Sequence, residues 1–513
     1  MKRREFLQSS SAVALFALSS RRAAYAAVRS GATPDVAAVT GDGRPITLRG
    51  ADIEDLAAQL RGPLLLAGDD GYEEARLILN PSFDKRPALI AQVTGVADTQ
   101  AAVQFAQAHQ LLLAVKCGGH SHSGQSTCNG GMMIDLKDLR GVRVDPRARR
   151  AWVDGGTLLG HVDHESTACG LVTPLGTVSH TGVGGLTLGG GFGRLSRRYG
   201  MAIDNLESVD LVTADAQLRR ASAADHRDLF WALRGGGGNF GVAVTFEFRL
   251  HPMRRQVIAG KLTFPIEKAR DVLRMFADYA PEAPDELYMD PVLLRPPGGA
   301  PGLATVEVCY SGEHADAERA LAPLRKLGTP LQDTIQAVNY ELVQRMNDAT
   351  DARAVATYLK GGFISELSDK LISAIVDGLE GHPDRATLLF FQHCGGAAGR
   401  VAESATAFAH RYALANMMTV VGWPHGAEPQ EHIEAARRHW RALQPFTRGF
   451  YINDMAREAS VQDVNENYRG NYQRLVAIKT KYDPGNLFRL NANVQPAGRP
   501  LRQEARGRLT PFG

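Results

Sequence analysis

Cysteine is scarce in this chain: Cys117, Cys128, Cys169, Cys309 and Cys394 are the only five among 513 residues. No two form a C-x-x-C pair, which argues against a zinc ribbon or a redox dithiol, and no metal site is expected. Cys117 and Cys128 are the closest pair. Spacing alone leaves them either bonded or as free buried thiols. An excess of one charge is also missing. Fifty-eight basic residues face 55 acidic ones, a net charge of +3. That balance implies no nucleic-acid partner and no charged membrane surface. The basic stretch Arg499 to Arg508 reads as a solvated tail. Long apolar runs are absent too. Ala12 to Ser20 is the nearest approach, and it is too short to span a bilayer. The sequence has no G-K-[ST], which excludes a triphosphate P-loop, and no internal repeat.

The N-terminus carries Lys2-Arg3-Arg4-Glu5-Phe6-Leu7, then that weakly apolar stretch, then Ala24-Tyr25-Ala26. These are the three parts of a twin-arginine export signal in order, so residues 1–26 are expected to be removed. The expected localisation is periplasmic or secreted, with the twin-arginine machinery as a partner. That route carries folded proteins, which suits a chain that loads a cofactor before export.

Glycine is what the chain has in quantity, 53 residues, concentrated around Gly118, Gly184 to Gly193 and Gly235 to Gly238. The first of these loops follows the apolar run Leu111 to Ala114 and is followed at once by His120, with His122 two residues on. Adjacent glycines let backbone approach a ligand closely. Gly184-Gly185 and Gly189-Gly190-Gly191 do not give the G-x-G-x-x-G spacing of a Rossmann turn. Three separate glycine loops instead suggest one long ligand touched by backbone in several places.

Periodicity places a helix over 97–110 with Asp98 as its N-cap, and strands over 111–115, 132–136, 151–154 and 206–213. Helices are expected over 160–169 and 225–233. Val242, Val244, Phe246, Phe248 and Leu250 alternate with Ala243, Thr245, Glu247 and Arg249, a half-buried strand that His251-Pro252 ends. From about 255 to 450 the glycine loops vanish. Strand-like runs (304–310, 386–392, 417–421) alternate there with helical ones, such as the stripe Ile433, Ala436, Trp440, Leu443. One amphipathic helix is expected to carry Tyr468, Tyr472, Leu475 and Val476 before the turn at Asp483-Pro484-Gly485-Asn486.

Four ordered blocks carry a family resemblance. They are Gly118-Gly119-His120-Ser121; Gly176 to Gly193; Asp228-Leu229-Phe230-Trp231-Ala232-Leu233-Arg234-Gly235 to Gly241; and Lys481-Tyr482-Asp483-Pro484 through Asn491 and Asn493. Together they resemble the berberine-bridge-enzyme-like FAD-linked oxidases of the vanillyl-alcohol-oxidase (PCMH-type) superfamily. The resemblance implies an α+β fold. A two-part FAD-binding domain (60–252, completed by 450–496) would flank an inserted antiparallel-sheet and helix substrate domain (253–449), with 497–513 as a tail. It implies FAD held by Lys116, Cys117, Gly118, Gly119, Ser121, Gly176, Ser179, Thr181, Gly182, Gly184, Gly185, Gly189, Gly190, Val242, Asn491 and Asn493. It further implies a covalent bond from His120 to the flavin 8α-methyl group.

A second tether, a cysteine in many relatives, falls at Val178 here, so a single link is expected. Thr181 falls at the family's oxygen-gate position. Its size favours an oxidase that turns O2 into hydrogen peroxide. The substrate would be a small alcohol, sugar or phenolic, losing hydride to the flavin and a proton to a base. The family's tyrosine base is replaced, since the stretch runs Tyr451-Ile452-Asn453-Asp454. Another active-site tyrosine is Phe192. Asp454 is the first choice of base and Tyr451 the second, with His393 or Tyr412 as substitutes. Two other readings stand beside this one: a dehydrogenase passing electrons to a quinone or redox protein, and a flavin-binding protein without turnover.

Overall fold

The computed structural model describes residues 32–348, 353–454 and 459–498. The export sequence at 1–26 and the basic stretch at 499–508 lie outside the described residues. Apolar segments form three main sheets. A four-stranded sheet runs in the order Leu64–Leu65, Leu89–Gln92, Met132–Asp135, Leu113–Lys116. Its last three strands are parallel and buried. That is why Met132, Met133 and Ile134 are apolar without alternation. A five-stranded antiparallel sheet runs Leu218–Ser222, Leu206–Val212, Val242–Arg249, Arg150–Asp154, Val142–Asp145. Phe246 and Phe248 are buried in it, while Thr245 and Glu247 keep partial exposure, as the alternation requires.

Every strand of the third sheet falls between Gln256 and Pro424. It has eight strands, all antiparallel, with Leu287–Arg295, Ala386–His393 and Ala415–Pro424 side by side near its middle. Helices Ala269–Tyr279, Asp369–Asp377 and Gln430–Leu443 cover one face through Phe276, Ile375 and Leu443. The other face looks toward the glycine loops. The chain then returns. Leu475 and Val494 enter the core of the five-stranded sheet, and Leu487 and Phe488 enter that of the four-stranded sheet. Lys479, fully buried, fixes this return by donating to Asp483 Oδ2 (2.7 Å), Asn239 O (2.7 Å) and Phe488 O (2.8 Å). No helix among the described residues is long and apolar enough to cross a membrane.

Two local expectations are corrected. Helix Val96–Ala108 is preceded by Gly95, so Asp98 lies in its first turn rather than at the cap. Its buried carboxylate instead accepts from Arg61 N, Gly62 N and Thr94 N, which ties the preceding loops to the helix. The strand through Phe246 and Phe248 ends at Arg249, as expected, and His251–Pro252 then pairs with Leu171–Val172 in a separate small sheet. The helix through Tyr468 and Tyr472 is two, Val461–Tyr468 and Tyr472–Tyr482. Arg469 takes φ +53° between them, and Asn471 donates to the carbonyls of Glu403 and Thr406. All five cysteines are free.

Candidate active site

The strand Leu113–Lys116 delivers Cys117 and Gly118 to a crossing with the second glycine segment. A Cβ on Gly118 would lie 2.4 Å from Gly182 N, and one on Gly182 would lie 2.4 Å from Gly118 N. Only glycine permits two backbones this close. The crossing is fastened on both sides. Cys117 Sγ donates to Gly155 O at 3.0 Å. Val183 N donates to Thr157 O, Leu159 N to Thr181 O and Gly160 N to Ser179 O, at 2.8 to 2.9 Å. Burial pushes the Cys117 thiol up to about 11, so it stays protonated and unreactive near neutral pH.

Gly119 (φ +72°) turns the chain to His120, whose Nε2 lies 2.6 Å from His180 Nδ1. Burial, with the neighbouring His180 and His122, pushes His120 down to about 3. Its imidazole is therefore neutral at physiological pH and keeps a lone pair.

The residues around this crossing fit a dinucleotide such as FAD. A Cβ on Gly185 would meet nothing within 4 Å, so open space lies beside the backbone there. Asn491 and Asn493 each present a buried Oδ1 with no hydrogen-bond partner. Buried acceptors are rarely left unpaired, and these two suit the N–H and O–H donors of a base, ring or ribityl chain. Gln125 Nε2 donates to Asn491 O at 3.1 Å, and Ser121 Oγ accepts from Gln125 N at 3.0 Å. The C-terminal return is thereby joined to the histidine loop.

Other residues expected at the cofactor also make contacts within the protein. Lys116 donates to Ala75 O and sits 3.1 Å from the buried Asp135 carboxylate. Val242 lies in the apolar core with Met132 and Ile134. Gly176 O accepts from Gln344 Nε2 at 2.8 Å, and Ser179 donates through N and Oγ to Asp348 at 2.8 and 2.6 Å. A Cβ on Gly189 would strike Asn453 Oδ1 at 2.3 Å, and one on Gly190 would strike Met201 Cε at 2.7 Å. These two glycines thus seat the loop against the C-terminal return.

The turn Ile452–Asp454 places the two candidate bases. The Tyr451 hydroxyl accepts from Gly191 N (2.9 Å) and Asn453 Nδ2 (2.8 Å), and burial raises the phenol above its usual range. The Asp454 carboxylate accepts from Asn416 Nδ2 at 3.0 Å. Burial pushes Asp454 up to about 7, with the Asn416 bond opposing that rise. Asn416 also donates to Gln392 Oε1 at 3.0 Å, and its own Oδ1 is buried without a partner. Asn416 and Gln392 are directly opposite in the large sheet. On the same face, the next facing rows are Phe390 with Met418 and Val292, then Leu388 with Val420 and Leu294. A polar pair thus adjoins an apolar shelf. His393 lies on the other face, against Arg197 Nη1 (3.0 Å) and Ala280 O, and Tyr412 donates to Arg448 O. Neither bonds Asp454.

Three residues here went unassigned in the sequence. His180 sat inside the quoted glycine segment, and Gln392 and Asn416 sat at the polar ends of strand-like runs. Only the pairing of those strands shows that the last two meet.

The chain matches the model of an FAD binding domain over residues 87–222, and that of berberine and berberine-like proteins over 451–495. It is 30% identical to (R)-6-hydroxynicotine oxidase of Paenarthrobacter nicotinovorans, over 86% of this chain and 98% of that one. It is 29% identical to an FAD-linked oxidoreductase of Dictyostelium discoideum, over 86% of this chain and 97% of that one. The solved structure of 6-hydroxy-D-nicotine oxidase from Arthrobacter nicotinovorans superimposes with a TM-score of 0.78 and 29% identity, covering 85% of this chain and 98% of that one. The fold, the glycine crossing fitted to FAD and these likenesses agree. The chain belongs to the berberine-bridge-enzyme-like family of FAD-linked oxidoreductases.

Proposed function

We propose that this protein is an oxidase that carries FAD on one covalent link, from His120 to the 8α-methyl group. It takes hydride from a small alcohol, sugar or phenolic substrate and yields hydrogen peroxide. The observation that carries the reading is Asp454, a carboxyl near neutrality at about 7, hydrogen-bonded to Asn416 beside a polar and apolar sheet face. FAD, when bound, accepts the hydride and passes the electrons to O2. The chain's own residues do the rest. Asp454 takes the proton of the substrate hydroxyl. Gln392 and the unpaired Asn416 Oδ1 orient that group. Phe390, Met418 and Val292 receive the substrate's apolar body. Of the three substrate classes, a small ring-bearing compound suits this shelf best, and a hydroxynicotine relative supports the same size and character. Val178 leaves His120 as the single tether, and Thr181 stands at the oxygen gate. Export through the twin-arginine route belongs to the same reading, since a tethered cofactor is not lost outside the cell.

Anaerobic mixing with a panel of small aromatic alcohols, amines and sugars tests the proposal, with flavin bleaching as readout. Re-aeration should then give one hydrogen peroxide per substrate oxidised. Bleaching that oxygen does not reverse, but a quinone does, would favour a dehydrogenase. Acid precipitation of the wild type should leave the yellow colour in the pellet, and His120→Ala should move it to the supernatant.

A further inference from the structure

The histidine pair His120 and His180 has a task that the proposed oxidation does not use. We infer that His180 is the proton acceptor for flavin attachment, taking the Nε2 proton of His120 as His120 Nδ1 bonds to the flavin 8α carbon. This rests on the covalent reading of His120 given above.

The geometry supports it in three ways. His120 Nε2 is engaged by His180 Nδ1 at 2.6 Å, so that nitrogen is not available as the attacking atom. Nδ1 makes no hydrogen bond among the described residues and holds the lone pair whenever Nε2 carries the proton. Second, His180 is held in place. Its neighbours on either side are pinned, Ser179 by Asp348 and by Gly160 N, and Thr181 by Leu159 N. A Cβ on Gly118 would lie 3.2 Å from His180 O, so its backbone also rests against the histidine loop. Third, His120 itself is largely removed from solvent, where a proton released from a charged imidazole is best taken by a neighbouring acceptor. His122 is close enough to disfavour a charge on His120 but makes no hydrogen bond to it among the described residues.

The step balances with oxygen. A bond forms between His120 Nδ1 and the 8α carbon. One C–H bond of the methyl group and the N–H bond of His120 break, with His180 taking the latter proton. The two electrons released go to O2, which leaves with both protons as hydrogen peroxide. His180 passes the proton it took from His120 on to the reduced oxygen and so ends neutral.

The test compares wild type, His120→Ala, His180→Ala and His180→Gln, each expressed with ample flavin. Covalent fraction is read by intact mass and by colour retained in the acid pellet, and folding by the unfolding midpoint. The rate of attachment is followed on addition of FAD to protein produced in a riboflavin auxotroph. Both His180 variants are expected to bind FAD but to tether it on the order of 10²-fold more slowly than wild type. Exogenous imidazole should restore attachment to His180→Ala. Peptide mapping should find the wild-type link at Nδ1. His180→Gln keeps bulk and a hydrogen-bond acceptor, so it stands in if the alanine variant does not fold. Wild-type attachment rates in the folded variants, or a link through Nε2, would overturn the role of His180. Wild-type protein that releases all its flavin into acid would overturn the covalent reading itself, and is recognised without any variant.

Discussion

Asn416 Nδ2 donates a hydrogen bond to Asp454 Oδ2 at 3.0 Å, joining the large antiparallel sheet to the C-terminal return of the chain. The carboxyl and its donor therefore come from different layers, and the site exists only when the two are docked. The bond lowers the affinity of Asp454 for a proton, while burial raises it more.

That balance gives a pH dependence. Asp454 acts as a base only when ionised, so flavin reduction should be slow below pH 7 and rise as pH passes about 7. Asp454→Asn should cut the rate by about 10²-fold or more. Asn416→Ala removes the lowering bond and should move the rising limb to higher pH. Anaerobic stopped-flow at a series of pH values reads both; an unmoved limb in Asn416→Ala would deny the coupling.

Tyr451→Phe should act on stability more than on chemistry. The phenol oxygen accepts from Gly191 N and Asn453 Nδ2, and its loss leaves both donors without that acceptor. The expected cost is about 1–3 kcal/mol of folding stability. Denaturant unfolding measures it. A fall in flavin reduction as large as that of Asp454→Asn would make Tyr451 the base instead.

Lys479→Met strips three hydrogen bonds from a fully buried ammonium and leaves the buried Asp483 carboxylate without its cation, held only by Leu487 N and Phe488 N. A loss of about 3–5 kcal/mol is expected. The return carrying Asn491 and Asn493 should loosen with it, so bound flavin per mole of protein should fall along with the thermal midpoint.

Two glycine variants separate the fold from the ligand. Gly118→Ala would place Cβ 2.4 Å from backbone nitrogen of Gly182, which neither loop can yield, and should give little soluble protein. Gly185→Ala brings its Cβ within 4 Å of no atom beyond its chain neighbours and its own helix backbone. It should fold with an unchanged midpoint yet retain less FAD, because its methyl group enters the space fitted to the ligand. Flavin content and midpoint, measured on both, check this.

Much of the architecture was legible in the chain. The alternation from Val242 to Arg249 dictated a strand with one buried face, because side chains on a strand point to opposite sides in turn. The apolar residues Met132, Met133 and Ile134 lie in a strand buried on both faces, as parallel pairing demands. Glycine at 118 and 182 announced close backbone approach, though not that the two approach each other. Asp98 was misplaced because a buried carboxylate serves whichever backbone N–H groups the tertiary structure brings to it, and those came from Arg61, Gly62 and Thr94.

Local chemistry thus lay in the sequence by itself: the glycine loops, the histidine behind them, the carboxyl at 454 and the periodicity of each element. Only the tertiary structure decided that His180 meets His120, that Asn416 and Gln392 meet Asp454, and that burial draws that carboxyl toward neutrality. Steric freedom and hydrophobic period act between near neighbours and can be read along the chain. Hydrogen bonding and desolvation at a site depend on which distant segments the cores bring together.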